Sequence, residues 1–187
     1  MSEVTIREIE PEDYPLLEEF LYLAVYQRDP TDPIPRSVVR DPRVRIYIED
    51  FGGRLHDRGL VAEVDGTVVG AAWARVLDGD PPGYGYVDDA TPELAISLLP
   101  AFRNRGIGTR MTRSLIGLLA ESGYARTSLS VDKTNYAAEM YAKLGFVVVD
   151  ENDEDQLMVC VLTPEGRQAA VLASMKDPSG TRDHGHA

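Results

Sequence analysis

Apolar positions change their period several times along the chain, and each change marks an element. In VTIREIE (residues 4–10), Val4, Ile6 and Ile9 alternate imperfectly with polar residues up to Pro11, which predicts a first strand. In PEDYPLLEEFLYLAVY the spacing becomes helical, with Leu16, Leu17, Phe20, Leu21 and Ala24 one turn apart. Glu12, Asp13, Glu18 and Glu19 suit the positive N-terminal half of that helix dipole. Prolines 30, 33, 35 and 42 then interrupt any long helix and leave two short helical pieces, after Pro35 and after Pro42. In LVAEVDGTVVGAAWARV, Asp65-Gly66 separates two alternating apolar runs and predicts a β-hairpin. LDGDPPGYGY, rich in proline and glycine, suits neither ladder nor helix and reads as a loop.

A further strand starts at Glu93. Leu94, Ile96 and Leu98 take one face and Ala95, Ser97 and Leu99 the other, so it is nearly apolar on both sides, as a central strand is, until Pro100 stops it. From Ile107 the residues Met111, Leu115, Leu118 and Leu119 predict a helix that ends at Gly123. ARTSLSV (125–131) reads as a strand, NYAAEMYAKL as a short helix closed by Gly145, and FVVV and QLMVCVL as two last strands. Strands and helices alternating after a hairpin indicate an α/β or α+β fold, with a mixed central sheet flanked by helices. Residues 1–163 form the expected single domain. Residues 164–187 form an extension, a short helix from Pro164 followed by a loose tail over 177–187 whose His184 and His186 have no expected role.

Charge narrows the partners. Nineteen Lys+Arg against 31 Asp+Glu leave a net charge of −12, so no strong positive field is available to neutralise nucleic-acid phosphates. A solvated acidic surface is the simplest reading of that excess, although it would also favour a cationic amine. The one cysteine, Cys160, lies within QLMVCVL and reads as a small buried residue rather than a nucleophile. With one cysteine, no leader-like start and no apolar run near 18 residues, a cytoplasmic protein without a membrane span is expected.

The candidate chemistry starts at RNRGIGTRM, between the central strand and the helix. Gly106 and Gly108 let backbone N–H groups approach an anion, and the following helix adds its positive end. A P-loop would need a glycine-lysine pair, and the dinucleotide fingerprint would put a third glycine at Met111. Both patterns fail, and R-x-x-G-x-G from Arg103 to Gly108 remains. Spacing alone leaves open a diphosphate site or an ordinary glycine connection with no ligand. The acidic run DENDED (150–155) is no calcium loop, since an EF-hand starting there would need glycine at Asp155 and glutamate at Val161. It reads as a solvated connection between the last two strands.

The turn has company. The hairpin at Asp65-Gly66, the strand ELAISLLP, the turn, its helix, the strand TSLSV and then N-x5-Y-x3-G-F from Asn135 through Tyr141 to Gly145 and Phe146 form an ordered set. This set resembles the GNAT family of N-acetyltransferases, in outline over residues 4–163 and in detail over 93–149. The resemblance implies a single-domain acyl-CoA N-acyltransferase fold with acetyl-CoA (coenzyme A) as donor. The backbone amides of Arg103, Asn104, Arg105, Gly106, Ile107, Gly108 and Thr109 would bind its pyrophosphate. The strand at Leu98 and Leu99 would splay from its neighbour so that backbone groups bond the pantetheine arm, and Asn135 would contact the donor from the other side.

Acetyl transfer to an amine requires a neutral nitrogen, a polarised thioester carbonyl and a proton for the thiolate. An alkyl ammonium titrates near 10.4, so near pH 7 a base or a water chain must remove a proton before attack. The resemblance makes Glu93, which opens the central strand ten residues before Arg103, the candidate base, through water; its alternative is an exposed, idle carboxylate at a strand end beside Asp88-Asp89. The resemblance gives the N–H of Leu98 the carbonyl oxygen. Tyr141 is the candidate acid, a phenol that stays protonated at neutral pH; its alternative is a tyrosine packed at a helix end with its hydroxyl on the backbone. Tyr136 lacks that positional support. Tyr84 and Tyr86 are candidates for the acceptor wall or else surface aromatics, and Arg36, Arg40, Arg43 and Arg45 suit salt bridges better than an acidic substrate.

The expected reaction is transfer of acetyl to a primary amine of a small molecule, protein or peptide, by direct attack in a ternary complex, with no metal. Segments 27–50 and 78–92 would shape the acceptor pocket. The alternatives are a non-catalytic acyl-CoA-binding module and a protein that works through surface contacts. A homodimer is left open.

Overall fold

The computed structural model describes residues 3–29, 31–77 and 79–163, so the expected C-terminal extension lies outside the described residues. The chain begins with strand β1 (Val4–Glu8), a 3-10 turn (Pro11–Leu16) and helix α1 (Leu17–Ala24). Pro15 inside the first turn denies it the i−4 hydrogen bond, and the α-helical part starts only beyond it. The proline-rich segment yields the two short pieces expected, a 3-10 turn at Arg36–Arg40 and α2 (Pro42–Arg45), the latter capped by the Asp41 side chain on the Arg43 N–H.

The hairpin follows as β2 (Arg58–Val64) and β3 (Thr67–Arg75), turning at Asp65 and Gly66, both at positive φ. Next come β4 (Glu93–Leu98), α3 (Ile107–Glu121), β5 (Arg126–Asp132), α4 (Ala137–Lys143), β6 (Phe146–Glu151) and β7 (Asp155–Val161). The seven strands form one sheet in the order β1-β2-β3-β4-β5-β7-β6, antiparallel throughout except between β4 and β5. The sheet is therefore mixed, as the patterning indicated.

Each face has its own core. On one side α3 buries Met111, Leu115 and Leu119 with no exposed surface against Leu60, Ala62, Leu94 and Leu129, and α4 adds Tyr141. On the other, Leu17, Phe20 and Leu21 of α1 pack with Val44, Tyr47, Ala71 and Trp73. Each Leu, Met, Val or Phe among them contributes about 1.5–3 kcal/mol when fully buried. Strand β4 serves both cores, with Leu94 and Leu98 on the α3 side and Ala95 on the α1 side, and this explains its two-sided apolar pattern. Cys160 is buried on β7. Among the described residues no helix is long and apolar enough to cross a membrane.

Candidate active site

The glycine turn between β4 and α3 is shaped by two left-handed residues, Asn104 at φ 59° and Gly106 at φ 75°. Gly106 is the N-cap of α3, and no side chain caps that helix end. The amides of Asn104, Arg105, Gly106, Ile107, Gly108 and Thr109 have no protein acceptor among the described residues, and the first to find one is Arg110, on the Gly106 carbonyl at 3.1 Å. Six adjacent donors at the positive end of a 15-residue helix make an anion cradle. Arg103 departs from the expectation, because its own N–H is directed at the Pro100 carbonyl (3.3 Å). Its side chain instead donates Nε–H to the Leu98 carbonyl at 3.1 Å and ties the turn to the strand end.

Strands β4 and β5 pair only at Glu93↔Ser128 and separate beyond it. The gap opens a cleft of about 1030 Å³ lined by Leu98, Gly106, Gly108, Asn135, Tyr141 and Glu93 among others. The Leu99 N–H donates to Val69 on β3 (2.9 Å). Because ladder bonds alternate along an antiparallel strand, the Leu98 N–H must face the opposite edge, into the gap. Leu99 itself is a correction: its N–H is on Val69, its carbonyl accepts from Phe102 (2.9 Å), and it offers the cleft no hydrogen bond.

Glu93 is not the exposed carboxylate of the alternative reading. It is 3% exposed, and Oε1 accepts hydrogen bonds from the Tyr47 hydroxyl and from the Gly85 N–H (2.7 Å), while Oε2 is buried without a partner among the described residues. The Tyr84 N–H in turn donates to the Tyr47 oxygen (2.8 Å). Burial pushes the Glu93 carboxyl up to about 7, against the pull of these two donors to its charged form. The loop comes this close because residues 83 and 85 lack side chains: a Cβ on Gly83 would meet Oε2 at 2.0 Å, and one on Gly85 would meet the carboxyl carbon at 2.8 Å. Tyr47 had no signal in the sequence, since 46 residues separate it from Glu93.

Tyr141 stands on the buried face of α4, edge-on to Phe146 at 5.7 Å, and lines the cleft. Its hydroxyl makes no hydrogen bond to a described residue, and burial raises its pKa above the ordinary phenol value. Asn135 lines the cleft as well, but its Oδ1 accepts the Ala137 N–H (3.0 Å) and holds the first turn of α4, so only the amide NH₂ is available to a ligand. Two unforeseen side chains join the segment after α1 to the end of β5 and to the connection before β7. The Tyr26 hydroxyl donates to the Thr134 carbonyl (3.1 Å), and Arg28 pairs with Asp132 and Glu154.

Of the remaining candidates, Tyr84 lines the cleft and stacks on Tyr47, with ring centroids 6.5 Å apart, and the exposed Tyr136 lies at the cleft's edge. Tyr86 bonds Asp89 (2.6 Å) and does not reach the cleft. Within the basic cluster, Arg36 pairs with Glu19 and Arg45 with Glu18, the surface ion pairs expected. The acidic run is only in part a connection: Asp150 and Glu151 end β6, Asp155 starts β7, Glu151 pairs with Lys133 and Glu154 with Arg28.

The model of the acetyltransferase (GNAT) family matches residues 8–146. No curated protein sequence matches the chain. Among solved structures it is similar to the GNAT-family acetyltransferase of Streptococcus pneumoniae, with TM-score 0.61 and 21% identity over 86% of this chain and 100% of that one. It is similar also to yncA of Salmonella typhimurium with its cofactor acetyl-CoA (TM-score 0.62, 21% identity, 87% of this chain and 95% of that one). A third is PaiA N-acetyltransferase of Thermoplasma acidophilum in complex with coenzyme A (TM-score 0.61, 19% identity, 85% and 99%). At these identities the likeness is one of fold.

Proposed function

Because the chain belongs to the acetyltransferase (GNAT) family, we propose that it transfers acetyl from acetyl-CoA to a primary amine, of a small molecule or of a protein or peptide, by direct attack in a ternary complex. The observation that carries this reading is the run of amides from Asn104 to Thr109 without an acceptor among the described residues, at the head of α3 and at the rim of the cleft. A diphosphate suits that cradle in charge and in number of acceptors. Two of the similar structures hold coenzyme A or acetyl-CoA, which supports the same donor here.

Acetyl-CoA supplies the thioester that the amine attacks. Glu93 takes the proton of the incoming ammonium, and a carboxyl titrating at about 7 is matched to that task at neutral pH. It acts through water, because both of its oxygens lie below the protein surface. The Leu98 N–H, turned into the gap, hydrogen-bonds the carbonyl oxygen as that oxygen gains charge. As the C–N bond forms and the C–S bond breaks, Tyr141, protonated and without an acceptor among the described residues, gives its proton to the departing sulfur and is restored by the second proton that the nitrogen sheds. Asn135 donates from its amide to the donor's arm opposite the turn.

Isothermal titration with acetyl-CoA, followed by an amine panel assayed for release of free thiol, tests the reading. Binding with turnover of at least one amine is expected. Binding without turnover of any amine would leave a non-catalytic acyl-CoA-binding module, and no heat at all would overturn the site.

A further inference from the structure

Resting on Glu93 as the proton acceptor, we propose that Tyr47 is its positioning residue: the phenol fixes Oε1 as the hydrogen-bonded oxygen and leaves Oε2 as the atom that takes the proton. The bonds form a closed circuit. The Tyr84 N–H donates to Tyr47 (2.8 Å), so the phenol must turn its own hydrogen to Glu93 Oε1, which also accepts the Gly85 N–H (2.7 Å). Two donors on one oxygen and none on the other make the carboxylate asymmetric, and a proton arriving at it meets a free acceptor only at Oε2. The first bond polarises the phenol and strengthens the second.

The phenol is itself held in place. Its main-chain carbonyl accepts the Trp73 indole N–H (2.9 Å), it is 8% exposed, and burial followed by the neighbouring carboxylate raises its pKa, so it remains a donor at every working pH. Among the described residues no cation pairs with Glu93. Arg75, its partner across the β3–β4 ladder, binds Asp57 and the carbonyls of Ile46 and Glu49 instead. The other titratable ring nearby is Tyr84, which acts through its backbone, and β5 presents Ser128 and Leu129, neither of which titrates near neutrality.

The consequence is a link between acceptor pocket and base. Residues 84 and 85 belong to the loop on the cleft wall, and both their amides belong to the circuit, so a substrate that moves this loop changes the hydrogen bonds on Glu93.

The test follows Glu93 directly, by ¹³C NMR of carboxyl-labelled protein, with the resonance assigned by its loss in Glu93→Gln, alongside the pH profile of kcat/KM. Tyr47→Phe removes a donor to the charged form and is expected to move the carboxyl midpoint and the acid limb upward together, by about one to two pH units. Tyr47→3-fluorotyrosine, a stronger donor of the same shape, moves both downward. Tyr84→Phe, which keeps the backbone N–H, leaves the midpoint in place. A midpoint unmoved by the fluorinated ring, or by Tyr47→Phe in protein that still unfolds cooperatively, overturns the proposal. If the midpoint moves while the acid limb survives in Glu93→Gln, the hold of Tyr47 on the carboxyl stands and Glu93 as proton acceptor falls.

Discussion

The glycine turn and the Glu93 circuit serve the same cleft but are built in opposite ways. The turn is contiguous, six backbone amides supplied by residues 104–109, with the side chains of Asn104 and Arg105 exposed and that of Ile107 buried in the core under α3. The circuit draws on residues 47, 84, 85 and 93 from three separate segments, and side-chain oxygens carry it. Backbone donors in a row need only the right φ, which Asn104 and Gly106 provide. A buried carboxylate needs partners, and a fold can supply those from anywhere in the chain.

The comparison breaks most sharply at Glu93. Replacing it by Gln should lower kcat/KM by about 10² to 10⁴ with little change in acetyl-CoA affinity, read by steady-state kinetics beside titration. If kcat/KM is retained, the circuit is structural only.

Stability sharpens the contrast with a sign. The Glu93 carboxyl has its pKa raised from 4.5 to about 7 in the fold, so the folded chain holds this proton more tightly than the unfolded one. The contribution is fully present below about pH 4.5 and is lost as pH rises through about 7, a fall of about 3 kcal/mol. Urea unfolding at stepped pH should show that decline in wild type and its absence in Glu93→Gln.

On the other side of the comparison, Gly106→Val puts a β-branched residue at φ 75°. The strain should cost about 1–2 kcal/mol of stability and weaken acetyl-CoA about tenfold by titration, while the Glu93 midpoint stays where it is. The smallest effect belongs to the basic cluster. Arg45→Gln, which removes an exposed ion pair with Glu18, should shift the unfolding free energy by less than about 0.5 kcal/mol and leave kinetics unaltered.

Local signals carried most of the architecture. Asp65-Gly66 announced the hairpin, Pro100 ended β4, and the 3.6-residue spacing from Ile107 to Leu119 drew α3 to within two residues of its observed end. The two-sided apolar pattern of residues 94–99 marked a central strand because such a strand serves two cores. Gly106 marked the bend at the head of α3 because positive φ leaves a trace in residue type.

What failed was information about partners. Leu99 looked equivalent to Leu98, but alternation of the ladder turns one amide into the gap and the other onto Val69, and only the register decides which. Glu93 at a strand end suggested exposure, and the loop folded over it with Gly83 and Gly85 against the carboxyl. Tyr86 carried the same signal as Tyr84 and ended on Asp89.

The chain by itself thus determined its elements, their order and the bend that offers six amides, because periodicity and backbone conformation are properties of neighbouring residues. Tertiary structure alone decided that a tyrosine from the segment after α2 meets a glutamate on β4, and that β4 leaves β5 beyond Glu93. Burial sets the charge of a carboxyl, and burial comes from residues far along the chain.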